Sequence, residues 1–191
     1  TVMTFVGEPG DVISAAFQGI QKALETIDMR VHSGAHARMG STDVCPFVPI
    51  SNTSMLECIE YSKTLAERVG SELEIPTFLY EKSATIKDRT NLATIRQGEF
   101  EGMTAKLIKP EWKPDYGPTK PHLSAGVTAI GARNYLIAYN INLNSQDKRI
   151  ATDIAYDIRE QGRNKRDKVG KFIRDANGIP IKKPGTLKNC K

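Results

Sequence analysis

VCPFVPISNTSMLECIEYSKTLAERVGSELEIPTFLY, residues 44–80, holds the fold in miniature. Val44–Ile50 is apolar and bounded by polar residues, which reads as a buried strand. Pro46 and Pro49 lack ladder donors, so the strand is expected at a sheet edge or with irregular pairing. Ser54-Met55-Leu56-Glu57 has the form of a capping box, in which serine and glutamate satisfy otherwise orphaned N–H groups. The helix it opens is predicted to run to about Leu73 and to bury Leu56, Ile59, Leu65 and Val69. Ile75–Tyr80 reads as the next strand.

Outward from this unit, Val2–Gly7 is a β-rich run closed by a Gly-Glu-Pro-Gly turn. From Asp11, a natural N-cap, to about Ile27, Val12, Ala15, Ala16, Ile20, Ala23 and Leu24 recur at helical spacing. Asn91–Gln97 is predicted as a short helix. Gly98–Ala125, with Pro110, Pro114, Pro118, Pro121 and the only tryptophan, Trp112, reads as irregular. A loop of that length in a compact domain is expected to bind something. Gly126–Ala132 and Tyr135–Asn142 alternate like the arms of an antiparallel hairpin with an Ala-Arg-Asn turn. Lys148–Gln161 reads as a helix stopped by Gly162 and followed by a basic linker. No repeat or low-complexity segment is evident. This order predicts the α+β class, a two-layer sandwich with helices packed on a mixed β-sheet.

With 39% hydrophobic and 26% charged residues, a chain of 191 residues is globular and amounts to one domain, or one plus part of a second. The expected division is residues 1–165, then 166–191 as a basic linker and the start of a further subdomain. No apolar run approaches the roughly 18 residues of a membrane span, and no signal peptide opens the chain. Thr1 lies inside a predicted strand and GTLKNCK ends without a helix, so both ends are expected to continue in a larger protein. Cys45, Cys58 and Cys190 are too few and too scattered for a disulfide framework. Cys45, in a strand-like run, and Cys58, on a helix, fit the reduced, buried thiols of a cytoplasmic protein. The net charge of +5 has its excess after Asn144. Such a stretch serves as a solvated linker, holds phosphates, or draws in small polyanions. Nucleic-acid binding is not expected, because aromatic interleaving and any RNP, KH or C₂H₂ signature are missing.

His32–Pro49, HSGAHARMGSTDVCPFVP, concentrates two of the three histidines with Arg38, Asp43 and two glycines. A packed core has no use for that mixture, since each polar group would need its own partner. Glycines there suit a backbone that a ligand approaches closely. His32 and His36 are four apart, the spacing of a zinc-binding helix, but Ser33-Gly34 and Gly40 argue against a helix and no third ligand stands out except Asp43 or the distant His122. A histidine also suits general-base work at neutral pH, or merely braces a loop. Arg38 is suited to a bidentate carboxylate, and Asp43 to orienting an imidazole or capping a turn. A second constellation spans Pro114 to Gly126. Its prolines restrain the loop and lower the entropy lost on docking, while Lys120, His122 and Tyr116 offer charge, hydrogen bonds and a flat surface.

Certain blocks go further. TFVGEP, IDM ahead of the two histidines, G-x-H-x-R-M-G, DVCPF, YNINL and REQGR, in this order from Thr1 to about Arg163, resemble the N-terminal part of the formiminotransferase domain. That domain defines the glutamate formimidoyltransferases, a family of folate enzymes of histidine breakdown whose members are often fused to a cyclodeaminase. The resemblance implies transfer of a formimino group from N-formimino-L-glutamate to N5 of tetrahydrofolate, the co-substrate, without a metal. It implies that His36 is the catalytic base, supported by His32, Arg38 and Asp43. It also implies that Gly117, Pro118, Thr119, Lys120, Pro121, His122, Leu123, Ser124, Ala125 and Gly126 form the folate-binding segment. Family members often carry lysine, glutamate and proline where this chain has Ser33, Ala35 and Ala37, and some carry an aromatic residue at Ala125, so pterin stacking is expected to be weaker or to come from Tyr116. A supporting aspartate ahead of Thr1, a closing C-terminal subdomain after Lys191 and a homodimer are further expectations, and with them little turnover from this stretch alone. Formyl transfer from N-formylglutamate and a non-catalytic folate-binding module are the alternatives.

Overall fold

The computed structural model describes residues 1–190. The chain divides into two compact units, Thr1–Leu136 and Ile137–Lys191. In the first, α1 (Pro9–Thr26) is followed by β1 (Val44–Phe47), α2 (Met55–Glu72), β2 (Thr77–Glu81), α3 (Leu92–Arg96), α4 (Glu99–Leu107) and β3 (Thr128–Ala132). The sheet order is β1-β3-β2, and β3 pairs parallel with both neighbours, setting Ile130 between Cys45 and Leu79. β1, with its two nearby prolines, takes an edge as expected.

The unit read first from the sequence folds as predicted. Ser54 accepts from the Glu57 N–H at 3.2 Å and the Glu57 carboxylate accepts from the Ser54 N–H at 2.7 Å, closing the capping box. α2 buries Cys58, Leu65, Ala66 and Val69 against the sheet, while Leu56, expected inside, is exposed. α1 begins earlier than predicted, with Pro9 at the first position and Asp11 in the first turn, where its charge favours the helix dipole. Its buried face is Ala16, Phe17 and Ile20, joined to Leu65, Leu79 and Ile130 in one core.

α1, α2 and the sheet supply the expected layers, and the class is α+β. The opposite face is covered too: Phe78, Tyr80, Val127 and Ala129 pack with Ile95, Met103, Leu107 and Trp112. A parallel sheet is stable when both faces are dry, and β3 is buried along its whole length.

Three readings are corrected by these contacts. The 126–142 hairpin does not form, because β1 and β2 occupy both edges of β3. Val2–Gly7 has no partner strand among the described residues and remains irregular, with Val2, Met3 and Val6 exposed. Within the supposedly irregular Gly98–Ala125 stretch lies α4, whose Met103 and Leu107 fill the second face; Gly102 and Thr104 dilute its helical signal.

Burial in the sheet also sets an alkaline limit. It pushes the Cys45 thiol and the Tyr80 phenol up to about 12, from 9.0 and 10.0. The unfolded chain ionises them first, so through that interval the folded state holds more protons and stability falls as pH rises. Lys106, brought down to about 8 by burial, opposes this only up to 10.5. From there to pH 12 we expect a loss of about 1.4 kcal/mol per pH unit for each of the two groups, read as a falling urea midpoint. A midpoint flat over that range would refute it.

The second unit contains α5 (Lys148–Ile158), capped by Asp147 and without a buried residue, and the antiparallel pair β4 (Arg163–Asn164) and β5 (Lys182–Lys183). The expected basic linker is an ordered turn array, and it contains a repeat where none was expected. Arg166-Asp167-x-x-Gly170 and Arg174-Asp175-x-x-Gly178 make the same bonds. Each aspartate accepts two backbone N–H groups, and each arginine donates to the glycine carbonyl at 2.6 Å. Lys165, Ile173 and Ile181 close a three-way ring of backbone hydrogen bonds at their base. Among the described residues no helix is long and apolar enough to cross a membrane.

Candidate functional site

The two stretches singled out in the sequence lie against each other. Val127 N donates to Met39 O at 3.1 Å, Ser41 N to Ala125 O at 2.9 Å and Met29 N to Ser124 O at 2.7 Å. Gly40 and Gly126 form an antiparallel bridge. A Cβ on Gly40 would sit 2.1 Å from Val127 O, and one on Gly126 would sit 2.2 Å from Met39 O. These glycines therefore admit the neighbouring backbone, not a ligand as the sequence suggested for Gly40. Met39, fully buried, pins the loop into the second core.

His36 is exposed, and its Nδ1 lies 2.7 Å from Ala37 O. A carbonyl only accepts, so Nδ1 carries a proton in this contact, and in the neutral ring the lone pair is left on Nε2. His32 is exposed as well, and its backbone carbonyl accepts from Arg38 at 3.1 Å. Arg38, expected to grip a substrate carboxylate, grips two of the chain's own. Nη1 is 2.9 Å from Glu99 and Nη2 is 2.7 Å from Glu101, which holds the Glu101 carboxyl below its ordinary range. Asp43 accepts from Met39 N at 2.9 Å and pairs with Arg96, so it caps the turn. Among the described residues no three His, Cys, Asp or Glu side chains are grouped to hold a metal ion.

The second segment is anchored at both ends. Gly117, at φ 84, packs against Gly70 of α2, where a Cβ on Gly70 would meet Gly117 N at 2.7 Å. Just before it, Asp115 accepts from Leu79 N at 2.8 Å and pairs with buried Arg89 at 2.6 Å. At the far end His122 Nδ1 accepts from Ser124 and Ala125 N–H, which fixes its proton on Nε2. Between these anchors Pro118, Thr119, Lys120 and Leu123 face solvent, and Pro121 and Ser124 are half-buried. Ala125 is fully buried, and Tyr116 is partly packed into the helix-side core. Thr119 and Lys120 line a cavity of about 360 Å³ with Lys109 and Lys113, over Leu107 and Ile108; His36 is not part of its lining.

Arg89, Arg96, Glu99 and Glu101 went unread in the sequence. Only a run of charges flanking apolar positions marks them, and their partners lie 26 to 63 residues away. Lys106 belongs with them: its ammonium donates to Thr94, Ile95 and Gln97 carbonyls and lies 3.9 Å over Trp112, holding the end of α3 against α4.

Known proteins match most of this chain. The chain is 53% identical over 162 residues to a glutamate formimidoyltransferase of Streptococcus pyogenes serotype M1, covering 85% of this chain and 54% of that protein. It is 42% identical over 185 residues to one of Thermoplasma acidophilum, covering 95% and 61%. To the formimidoyltransferase-cyclodeaminase of Rattus norvegicus it is 45% identical over 179 residues, covering 94% and 32%. The chain thus spans at most about three-fifths of these relatives. Residues 1–133 match the formiminotransferase domain, N-terminal subdomain, and residues 138–191 match the formiminotransferase domain itself. With residues 1–133 matched by its N-terminal subdomain, this chain belongs to the formiminotransferase domain family.

Proposed function

We propose that this chain is the part of a glutamate formimidoyltransferase that carries the base and one wall of the site. In this reading N5 of tetrahydrofolate attacks the formimino carbon of N-formimino-L-glutamate. His36 Nε2 takes the N5 proton as the tetrahedral intermediate forms and returns it to the departing glutamate nitrogen. The rest of the acceleration comes from holding two substrates in register, with the exposed part of Gly117–Gly126 as the folate side. One observation carries the reading. The loop bearing a solvent-facing imidazole with a free Nε2 is hydrogen-bonded to the segment that the family resemblance assigns to folate.

The second substrate wall belongs to the portion of the relatives that this chain does not span, so turnover is expected only from a longer polypeptide. In such a polypeptide, His36→Ala is expected to lower kcat by about 10²–10⁴-fold while KM for tetrahydrofolate is kept. Steady-state kinetics with both substrates reads this out. An unchanged kcat rules out His36 as the base.

A further inference from the structure

We infer that Glu99 and Glu101 are positioning residues that hold the His36 loop in register through Arg38, an inference that rests on His36 acting as the base. The Arg38 side chain is only 14% exposed, whereas the two carboxylates are 43% and 64% exposed. The guanidinium is therefore the more buried member, and it stays inside the loop because both glutamates and His32 O receive the N–H groups of Nη1 and Nη2. Without those acceptors it would be drawn to water, taking residues 32–38 with it.

The backbone supports the same assignment. Gly98 and Glu99 are consecutive left-handed residues, at φ 93 and φ 53. Glycine adopts that conformation freely, but a residue with a Cβ is strained in it. A second glycine would relieve the turn, yet a glutamate stands there, with its carboxylate on Arg38. Strain of this kind persists where the side chain has a task. Phe100, between the two glutamates, donates its N–H to Arg38 O at 2.9 Å, and its ring lies against Gly126. One turn thus touches both halves of the site.

Two measurements test this. In the chain itself, Glu99→Ala with Glu101→Ala is expected to speed amide exchange at Met39 and Phe100 at least about tenfold, leaving Ile130 unchanged. Arg38→Ala should do the same, and combining all three should add nothing, because they act as one unit. In the longer active polypeptide, Glu99→Gly is expected to hold or raise Tm while kcat falls about tenfold or more at unchanged KM. A purely structural role would move Tm and kcat down together. Unchanged exchange, additive effects, or a Tm that falls with kcat overturns the inference. Its failure is distinguishable from that of the base assignment: if His36→Ala abolishes turnover and the glutamate variants do nothing, the clamp is wrong and the base stands. If His36→Ala is silent while exchange still accelerates, the base assignment fails.

Discussion

Gly126→Ala is expected to destabilise the first unit by about 3 kcal/mol or more, the sum of two separate costs. The added methyl would lie 2.2 Å from Met39 O, an atom fixed by its bond from Val127 N, so the neighbour cannot withdraw without breaking the junction. The backbone at φ 71 adds a left-handed penalty of about 1–2 kcal/mol that a glycine does not incur. Gly40→Ala separates the two. Its backbone is not left-handed, yet its Cβ would meet Val127 O at 2.1 Å, so it carries the steric cost alone. Gly19→Ala, in α1 with open space around it, is the control and should stabilise by up to about 1 kcal/mol. Urea midpoints of the three variants give the comparison. A loss below about 1 kcal/mol at Gly126 and Gly40 would mean that the two segments separate easily, and the site as described would not be rigid.

Arg89→Ala is expected to cost about 3–5 kcal/mol, because it orphans a buried charge. The Arg89 and Asp115 side chains are 5% and 10% exposed and 2.6 Å apart. Arg89 also donates to the Glu111 and Lys113 carbonyls and lies over Phe78 and Trp112, so its loss strips partners from a whole turn. Asp115→Ala should cost a similar amount, since Leu79 N and Thr85 lose their acceptor along with Arg89. The double variant should cost well under the sum, as no unpaired ion is left behind. Strict additivity in equilibrium unfolding would show that the two residues stabilise the fold independently. Because Asp115 stands two residues before Gly117, the single variants should also weaken the hold on the 117–126 segment.

Ser54 and Glu57 meet across one turn of chain, and the α1 and α2 apolar stripes repeat every three or four residues. Such signals lie within a few positions of one another and survive without knowledge of the rest. The same holds for the His36 neighbourhood, whose residue types alone mark it as a candidate site. Leu56 shows the limit even there: it sits on the predicted helix, but the stripe is turned so that Cys58 and Leu65 face the sheet instead.

Local chemistry in the sequence determined α1, α2, α3 and α5, the edge position of Val44–Phe47 and the two loops that meet at the candidate site, but not α4. Tertiary structure alone decided that β3 runs parallel between β1 and β2, that Gly40 faces a backbone, and that Arg38 is held by glutamates 61 and 63 residues away. Strand direction and ion-pair choice depend on which distant groups share a dehydrated space. That is set by the packing of the entire sheet, and no short window of sequence contains it.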